Sequence, residues 1–122
     1  MNLFVLGLCF RRDERIAPFG KRFSRALPER ISALGFGPLL HVGVQGELFV
    51  ALGQQVRARL GDDRTCIAAL CDGTVGYLPT AAAFAEGGYE PNASVLRPGE
   101  GERLVDAIVA LAEPLTVTPL AR

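Results

Sequence analysis

The amino-acid sequence predicts a single α/β domain, in which a mixed sheet of two hairpins packs with about three helices. Three observations support this prediction. The chain has 122 residues, a common size for one domain and enough to bury a core. Hydrophobic residues make up 49% of it and charged residues 21%, which excludes a disordered chain. Apolar runs of strand length also alternate with apolar stripes of helical spacing.

The first half of the chain predicts a strand, a hairpin and a helix. The apolar run from Asn2 to Phe10 has the length of a buried strand, although its pattern also fits a short helix. Two further runs, at 31–36 and 39–44, are separated by Gly37-Pro38 and predict a β-hairpin. The apolar period then becomes helical, so residues 47–60 are expected to form an amphipathic helix that ends at a glycine.

The middle of the chain predicts a second hairpin and a short helix. Residues 65–71 form another apolar run, and the Asp72-Gly73 pair after it is typical of a two-residue turn with positive φ at both positions. The return strand is expected at 74–78. Thr80 is then expected to cap a helix over 81–86, because its hydroxyl can accept a hydrogen bond from a backbone amide of the first turn.

The last third predicts a connection, a helix and a tail. Prolines and a glycine bracket residues 91–99, which are expected to be irregular. Apolar residues at helical spacing predict a helix over about 102–113, and Pro114 would end it. The tail, residues 114–122, is expected to be frayed or to form a short edge strand.

Charge and cysteine content narrow the class of protein. Thirteen basic and thirteen acidic residues cancel, so the chain offers no electrostatic case for binding nucleic acid. Residues 11–30 are locally basic. The favoured interpretation is a solvated basic segment, and the alternative is a surface that meets an anionic membrane or a partner. Two of the three cysteines, Cys9 and Cys66, lie in apolar runs, which predicts buried thiols in a reducing compartment.

No segment of the sequence predicts a membrane span or an export signal. The longest apolar run, Met1 to Phe10, is too short to cross a bilayer. It also lacks the basic start and the small-residue cleavage site of a signal peptide. The chain is therefore expected to be soluble and cytoplasmic.

Four residues are candidates for chemistry, each with an ordinary alternative. Glu47 lies where a strand is expected to lead into a helix, so it could ligate a metal or simply favour the helix dipole. Tyr77 and Tyr89 are the only tyrosines; each could ligate a metal or donate to an oxyanion, or pack in the core. His41 is the sole histidine, and its apolar neighbours favour a packed neutral side chain over a catalytic one. The sequence contains no G-x-S-x-G, P-loop or H-E-x-x-H motif.

A series of motifs in order adds a family resemblance to these candidates. The motifs are G-E-L-F-V-A-L-G at 46–53, G-Y-L-P-T at 76–80, F-A-E-G-G-Y-E at 84–90 and P-G-E-G-E-R-L-V-D-A at 98–107. They resemble the closing part of the catalytic domain of the neutral/alkaline ceramidase family, most closely its bacterial ceramidase-like members of undefined substrate. The resemblance covers about two-thirds of the chain. It divides the sequence into an unassigned segment 1–30, a ceramidase-like C-terminal half of a catalytic domain at 31–113, and the tail 114–122.

The resemblance implies a zinc site and a reaction. The family enzymes are zinc amidohydrolases that cut the N-acyl amide of ceramide, a sphingolipid. Glu47 stands at the position of the zinc-ligating glutamate, with Gln45 in place of the family's proline. Tyr77 stands at the ligating tyrosine, with Pro79-Thr80 in place of paired threonines. Tyr89 stands where the family places a tyrosine beside the substrate amide.

The sequence also departs from the family pattern. The two histidine ligands and most of the catalytic domain have no counterpart, and His41 does not replace them. The chain is therefore expected to be a fragment or one subunit of a composite enzyme, which alone neither binds zinc tightly nor turns over. A substrate would be an N-acyl amide or a lipid-like molecule, bound once a complementing subunit is present. The other hypothesis is a non-catalytic α/β module for binding or assembly. Surface that the missing half would cover also predicts self-association.

Overall fold

Six strands form two sheets in this computed structural model, which describes residues 2–8 and 27–117. In chain order the strands are β1 (Asn2–Leu8), β2 (Leu27–Phe36), β3 (Leu39–Val44), β4 (Glu47–Leu48), β5 (Thr65–Ala68) and β6 (Tyr77–Leu78). The main sheet has the order β1-β2-β3-β5, and β4 pairs with β6 in a small second sheet. The chain is thus mixed α/β, as predicted.

The main sheet combines an antiparallel half with one parallel strand. Strands β1, β2 and β3 are antiparallel neighbours, and β5 lies parallel to β3. The hairpin predicted at 31–44 is confirmed, with its turn at the Gly37-Pro38 position. Of the two alternatives for the first apolar run, the structure has the strand. Strand β2 begins at Leu27, so the boundary drawn between residues 30 and 31 falls inside a strand.

Four α-helices and one 3-10 helix complete the described part of the chain. They are α1 (Val50–Leu60), α2 (Ala81–Glu86), α3 (Tyr89–Ala93), α4 (Glu100–Ala112) and the 3-10 helix Glu113–Val117. Helix α1 begins three residues later than predicted, because Glu47 and Leu48 extend in β4. Thr80 caps α2 as predicted: its hydroxyl accepts a hydrogen bond from the Ala83 amide at 3.1 Å.

Two differences concern the last third of the chain. Helix α3 occupies the start of the stretch that was predicted to be irregular. The first residues of the predicted tail continue α4 as the 3-10 helix rather than as an edge strand. Cys9 and most of the basic segment at 11–30 lie outside the described residues, as do residues 118–122.

One face of the main sheet forms the core with α1 and α4. Alternate residues of β2 and β3 point to this face, and α4 packs against β1, β2, β3 and α1. Burial of this apolar surface is the main force that holds the layers together. The largest buried side chains are Ile31, Val42, Val44, Leu52, Val56, Leu78, Leu96, Leu104, Val105 and Ile108.

The opposite face of the sheet is open to solvent at the hairpin end, around Leu34, Phe36 and Leu39, whereas Cys71 covers Gly43. His41 and Cys66 are both exposed on it, so the predictions of a packed histidine and a buried Cys66 thiol are wrong. Their apolar sequence neighbours point to the core, whereas these two side chains point away from it, because successive residues of a strand face opposite sides. In the described residues, no helix is both long enough and apolar enough to cross a membrane.

The predicted second hairpin is wrong. Asp72 and Gly73 do adopt positive φ, at 60° and 121°. The segments on either side do not pair with each other, however, because β5 ends at Ala68 and β6 pairs with β4 instead. The Val75 amide donates to the Gln45 carbonyl at 2.8 Å, which turns the chain toward β4.

Helix α4 approaches the end of β6 at Gly101. A methyl group on Gly101 would contact the Pro79 carbonyl oxygen and would lie 2.7 Å from the Leu52 Cδ1 atom. The next residue, Glu102, accepts a hydrogen bond from the Ala81 amide at 2.9 Å through Oε1. The first turn of α4 therefore fixes the position of the segment that leads from β6 into α2.

Gly101→Ala is expected to lower the free energy of unfolding by about 1–3 kcal/mol, because the added methyl group overpacks a backbone contact. The matched control is Gly53→Ala in α1, where the nearest atom to a new methyl group is 3.7 Å away. That change is expected to stabilise the protein by about 0.5–1 kcal/mol. Urea unfolding of both variants measures the two effects. Equal stability of the two variants would contradict the tight approach at Gly101.

Candidate functional site

The small sheet places Glu47 beside Tyr77. The two residues are register partners in the parallel pair β4–β6. The Glu47 amide donates to the Gly76 carbonyl at 2.8 Å, and the Phe49 amide donates to the Leu78 carbonyl at 3.2 Å. Paired strands lie about 4.8 Å apart, and register partners of a parallel pair point to the same face. A carboxylate and a phenol that are thirty positions apart in the sequence thus stand side by side.

Alternation along these strands directs both side chains away from the core. Leu48 and Leu78 are the other register pair, and Leu78 is fully buried. Glu47 and Tyr77 therefore point to the opposite side, where Glu47 is exposed and Tyr77 is half-buried. The pair is accessible to a ligand while its backbone is anchored in the core.

The local setting of Glu47 differs from the prediction. Helix α1 starts at Val50 with Phe49 as its N-cap, so Glu47 lies before the helix and not in its first turn. The alternative of an ordinary first-turn glutamate is therefore wrong. Its position is set by the backbone hydrogen bonds of β4 instead.

Two glycines allow β4 and β6 to approach each other. A methyl group on Gly46 would lie 2.7 Å from the Leu78 Cδ1 atom and 2.9 Å from the Gly76 carbonyl oxygen. Gly76 has a φ of 88°, a conformation that residues with a side chain rarely adopt. The glycines of the two sequence motifs that carry Glu47 and Tyr77 are thus required by the pairing itself.

Gln45 holds the residues before Glu47 in place. Its Oε1 atom accepts a hydrogen bond from the Arg30 amide at 3.2 Å, and its Nε2 atom donates to the Asp72 carbonyl at 2.9 Å. The side chain thereby links β2 to the turn at Asp72. A proline at this position could make neither of these side-chain hydrogen bonds.

Tyr89 lies against Tyr77. The two ring centroids are 6.0 Å apart with an angle of 78° between the planes, an edge-to-face contact. Tyr89 is the first residue of α3 and is 73% exposed. The glycines before it, Gly87 and Gly88, have φ values of 81° and 115°, which turn the chain so that α3 starts next to β6. The structure therefore brings all three predicted site residues together.

Ser94 connects α3 to β6 and was missed by the sequence analysis. Its hydroxyl donates to the Tyr77 carbonyl at 2.9 Å and accepts from the Leu96 amide at 3.1 Å. The residue is buried, with 2% of its surface exposed. It fixes the distance between the backbone of Tyr77 and the helix that carries Tyr89. No sequence signal distinguishes it from the other serines, because its role depends on a contact seventeen residues away.

The electrostatics of the site disfavour a second negative charge. The Glu47 carboxylate is the main cause that raises the pKa of the Tyr77 phenol, and partial burial, Tyr89 and Glu90 add to this effect. A phenolate beside a carboxylate is repelled, so Tyr77 keeps its proton at neutral pH. Glu90 is a further acidic neighbour that the sequence analysis did not single out.

The site offers two oxygen donors to a metal ion. Glu47 and Tyr77 are the neighbouring pair, and a zinc site normally has three or four protein ligands. Among residues 2–8 and 27–117, no group of three or more histidine, cysteine, aspartate or glutamate side chains could hold a metal. The donor types suit a hard or borderline cation. These two donors are, however, only half of the four ligands that a zinc site usually has.

Comparisons of the chain with family models, with curated proteins and with solved structures find no match.

Glu47→Gln is expected to lower the pKa of Tyr77 toward the ordinary value of about 10. The reason is that the neutral amide no longer repels the phenolate. The measurement is an ultraviolet pH titration in a Tyr89→Phe background, where Tyr77 is the only tyrosine. Glu90→Gln in the same background is the control, because Glu90 is the smallest of the causes and its removal should lower the pKa less. An unchanged pKa in Glu47→Gln would show that the two side chains are not neighbours.

Proposed function

We propose that this chain is part of a zinc-dependent amidohydrolase of the ceramidase-like type, active on N-acyl amides. In this proposal it supplies half of a metal site and one residue beside the substrate, and a second polypeptide supplies the histidine ligands. The observation that carries the proposal is the register pairing of Glu47 with Tyr77, with the Tyr89 ring 6.0 Å from that of Tyr77.

Glu47 and Tyr77 would hold the metal through a carboxylate and a phenol oxygen. A bound zinc ion lowers the pKa of its water and polarises a carbonyl group. Tyr77 must lose its proton to ligate zinc, and the Glu47 carboxylate, which raises the pKa of Tyr77, opposes that loss until a cation lies between the two oxygens. The same repulsion explains why this pair alone should bind zinc weakly: the phenol must lose its proton, and only two of four ligands are present.

Tyr89 would act on the substrate rather than on the metal. Its side chain is exposed, and its ring meets that of Tyr77 edge to face, so the hydroxyl can face a molecule bound beside the metal pair. A neutral phenol donates a hydrogen bond, and such a donor stabilises the oxyanion that forms when water attacks an amide. Helix α3 and the buried Ser94 keep this donor at a fixed place relative to Tyr77.

The test is hydrolysis of a fluorogenic N-acyl amide by the chain co-expressed with the product of the neighbouring gene, with and without chelator. Activity should disappear with chelator and in Glu47→Gln and Tyr77→Phe, and Tyr89→Phe should lower kcat about 10²–10³-fold. Glu86→Gln is the matched control, since it removes an exposed carboxylate on α2. Activity that is indifferent to both Glu47→Gln and Tyr77→Phe would contradict the proposal.

A specific observation also favours the second candidate, a module for assembly. Three large apolar side chains are exposed together at the end of the β2–β3 hairpin: Leu34 at 46%, Phe36 at 78% and Leu39 at 56%. Monomeric soluble proteins seldom expose such clusters without a partner.

Sedimentation of the chain in the presence of chelator should therefore show association that increases with concentration. Phe36→Ser should weaken it, because this substitution removes the most exposed of the three side chains. Val50→Ser is the control, since it changes an equally exposed apolar residue on α1 outside the cluster. A strictly monomeric chain at high concentration would argue against the assembly function.

A further inference from the structure

The open face of the main sheet carries a histidine and a cysteine side by side. His41 on β3 and Cys66 on β5 are register partners of a parallel pair. Their side chains point to the same face, away from the core, and both residues are exposed. The two residues are separated by 25 positions in the sequence, so spacing motifs cannot find the pair.

The chemistry of this pair is that of a half metal site. A thiolate sulphur and an imidazole nitrogen are the preferred ligands of zinc, which binds four of them in a tetrahedron. Side chains on neighbouring strands start about 4.8 Å apart, a separation from which both can reach one ion. No third side chain completes a cluster within the described parts of the chain. The remaining ligands would have to come from another polypeptide.

We propose that His41 and Cys66 bind zinc at the interface between two copies of this chain, which together form a Cys2His2 site. A two-fold axis through the ion makes the same two residues contribute twice, as in any symmetric dimer. The site lies on the main sheet, whereas Glu47 and Tyr77 lie on the small sheet, and it includes neither of them.

The geometry of packed sheets suits this arrangement. Two sheets that pack face to face lie about 10 Å apart, so an ion midway lies about 5 Å above each sheet. A cysteine sulphur stands two bonds above its Cα, and the zinc–sulphur bond adds about 2.3 Å, which together span that height. The longer histidine side chain reaches the same plane with its ring nitrogen.

Exposed apolar side chains lie beside the His41–Cys66 pair on the same face of the sheet. Leu34 is the register partner of His41 on its other side, and Phe36 and Leu39 form the adjacent pair on the same face. All three are exposed, so pairing of two copies would bury six large apolar side chains around the ion. A two-fold axis places this apolar patch of one copy against the same patch of the other, so the ion and the apolar contact belong to one interface.

Cys71 provides an internal control on the same face. A methyl group on Gly43 would lie 3.4 Å from the Cys71 sulphur, so this thiol packs over the strand two residues beyond His41. It is half-buried and does not form a metal cluster with His41 and Cys66. The proposed site therefore excludes it, although it lies nearby.

The experiment measures zinc stoichiometry and sedimentation of the full chain in a Cys9→Ser background. At a protein concentration where the chelator-treated chain is largely monomeric, zinc should shift the protein to a dimer with one ion per two chains. His41→Gln and Cys66→Ser should each weaken zinc affinity by at least about 100-fold, whereas Cys71→Ser should not change it. Cobalt in place of zinc should give a thiolate charge-transfer band that Cys66→Ser abolishes.

The outcomes separate this proposal from the proposed function. Zinc dimerisation that persists in the Glu47→Gln, Tyr77→Phe double variant supports the His41–Cys66 site. Loss of zinc binding in that double variant, or in Cys71→Ser, would overturn it. One zinc per monomer without dimerisation, or no zinc binding at all, would overturn it as well. Because His41 and Cys66 are exposed, their variants should retain the far-ultraviolet circular dichroism of the parent chain.

Discussion

The pairing of β4 with β6 is the interaction on which the candidate site depends. Each strand has only two residues, and isolated pairs of this length are not stable in water. The pair persists because Leu78 is buried in the core and because the Gly46 backbone comes close to it. Gln45 and Ser94 fasten the two ends through hydrogen bonds to other elements. The geometry of Glu47 and Tyr77 is thus a product of contacts made elsewhere.

Local signals predicted much of the fold. The Gly-Pro break between two apolar runs predicted the β2–β3 hairpin, and Thr80 predicted the start of α2. Both predictions were possible because a turn or a helix cap depends on only a few neighbouring residues. The pairing partner of β6 could not be predicted in this way. Asp72 and Gly73 do turn the chain, but competition between two distant strands decides where it goes next. Helix α1 likewise starts late because β4 takes its first residues.

The candidate site was predicted only in part. The periodicity of the sequence placed Glu47 on a helix, and only the motif resemblance linked it to Tyr77 and Tyr89; the structure brings the three residues together. His41 and Cys66 were predicted to be buried from their apolar neighbours. Whether one face or both faces of a sheet are covered depends on the whole fold. Here one face is uncovered at His41 and Cys66, so these two side chains are exposed although their strands are apolar.

The shortness of β4 and β6 has a consequence for how this protein can change. In each strand one residue packs toward the hydrophobic core, and the residue beside it points to the opposite side. A substitution at Leu78 that shifts the backbone of β6 would also move the phenol, because Tyr77 is the only other residue of this strand. Core packing at Leu78 and the position of the Tyr77 side chain are therefore coupled through the backbone of this dipeptide.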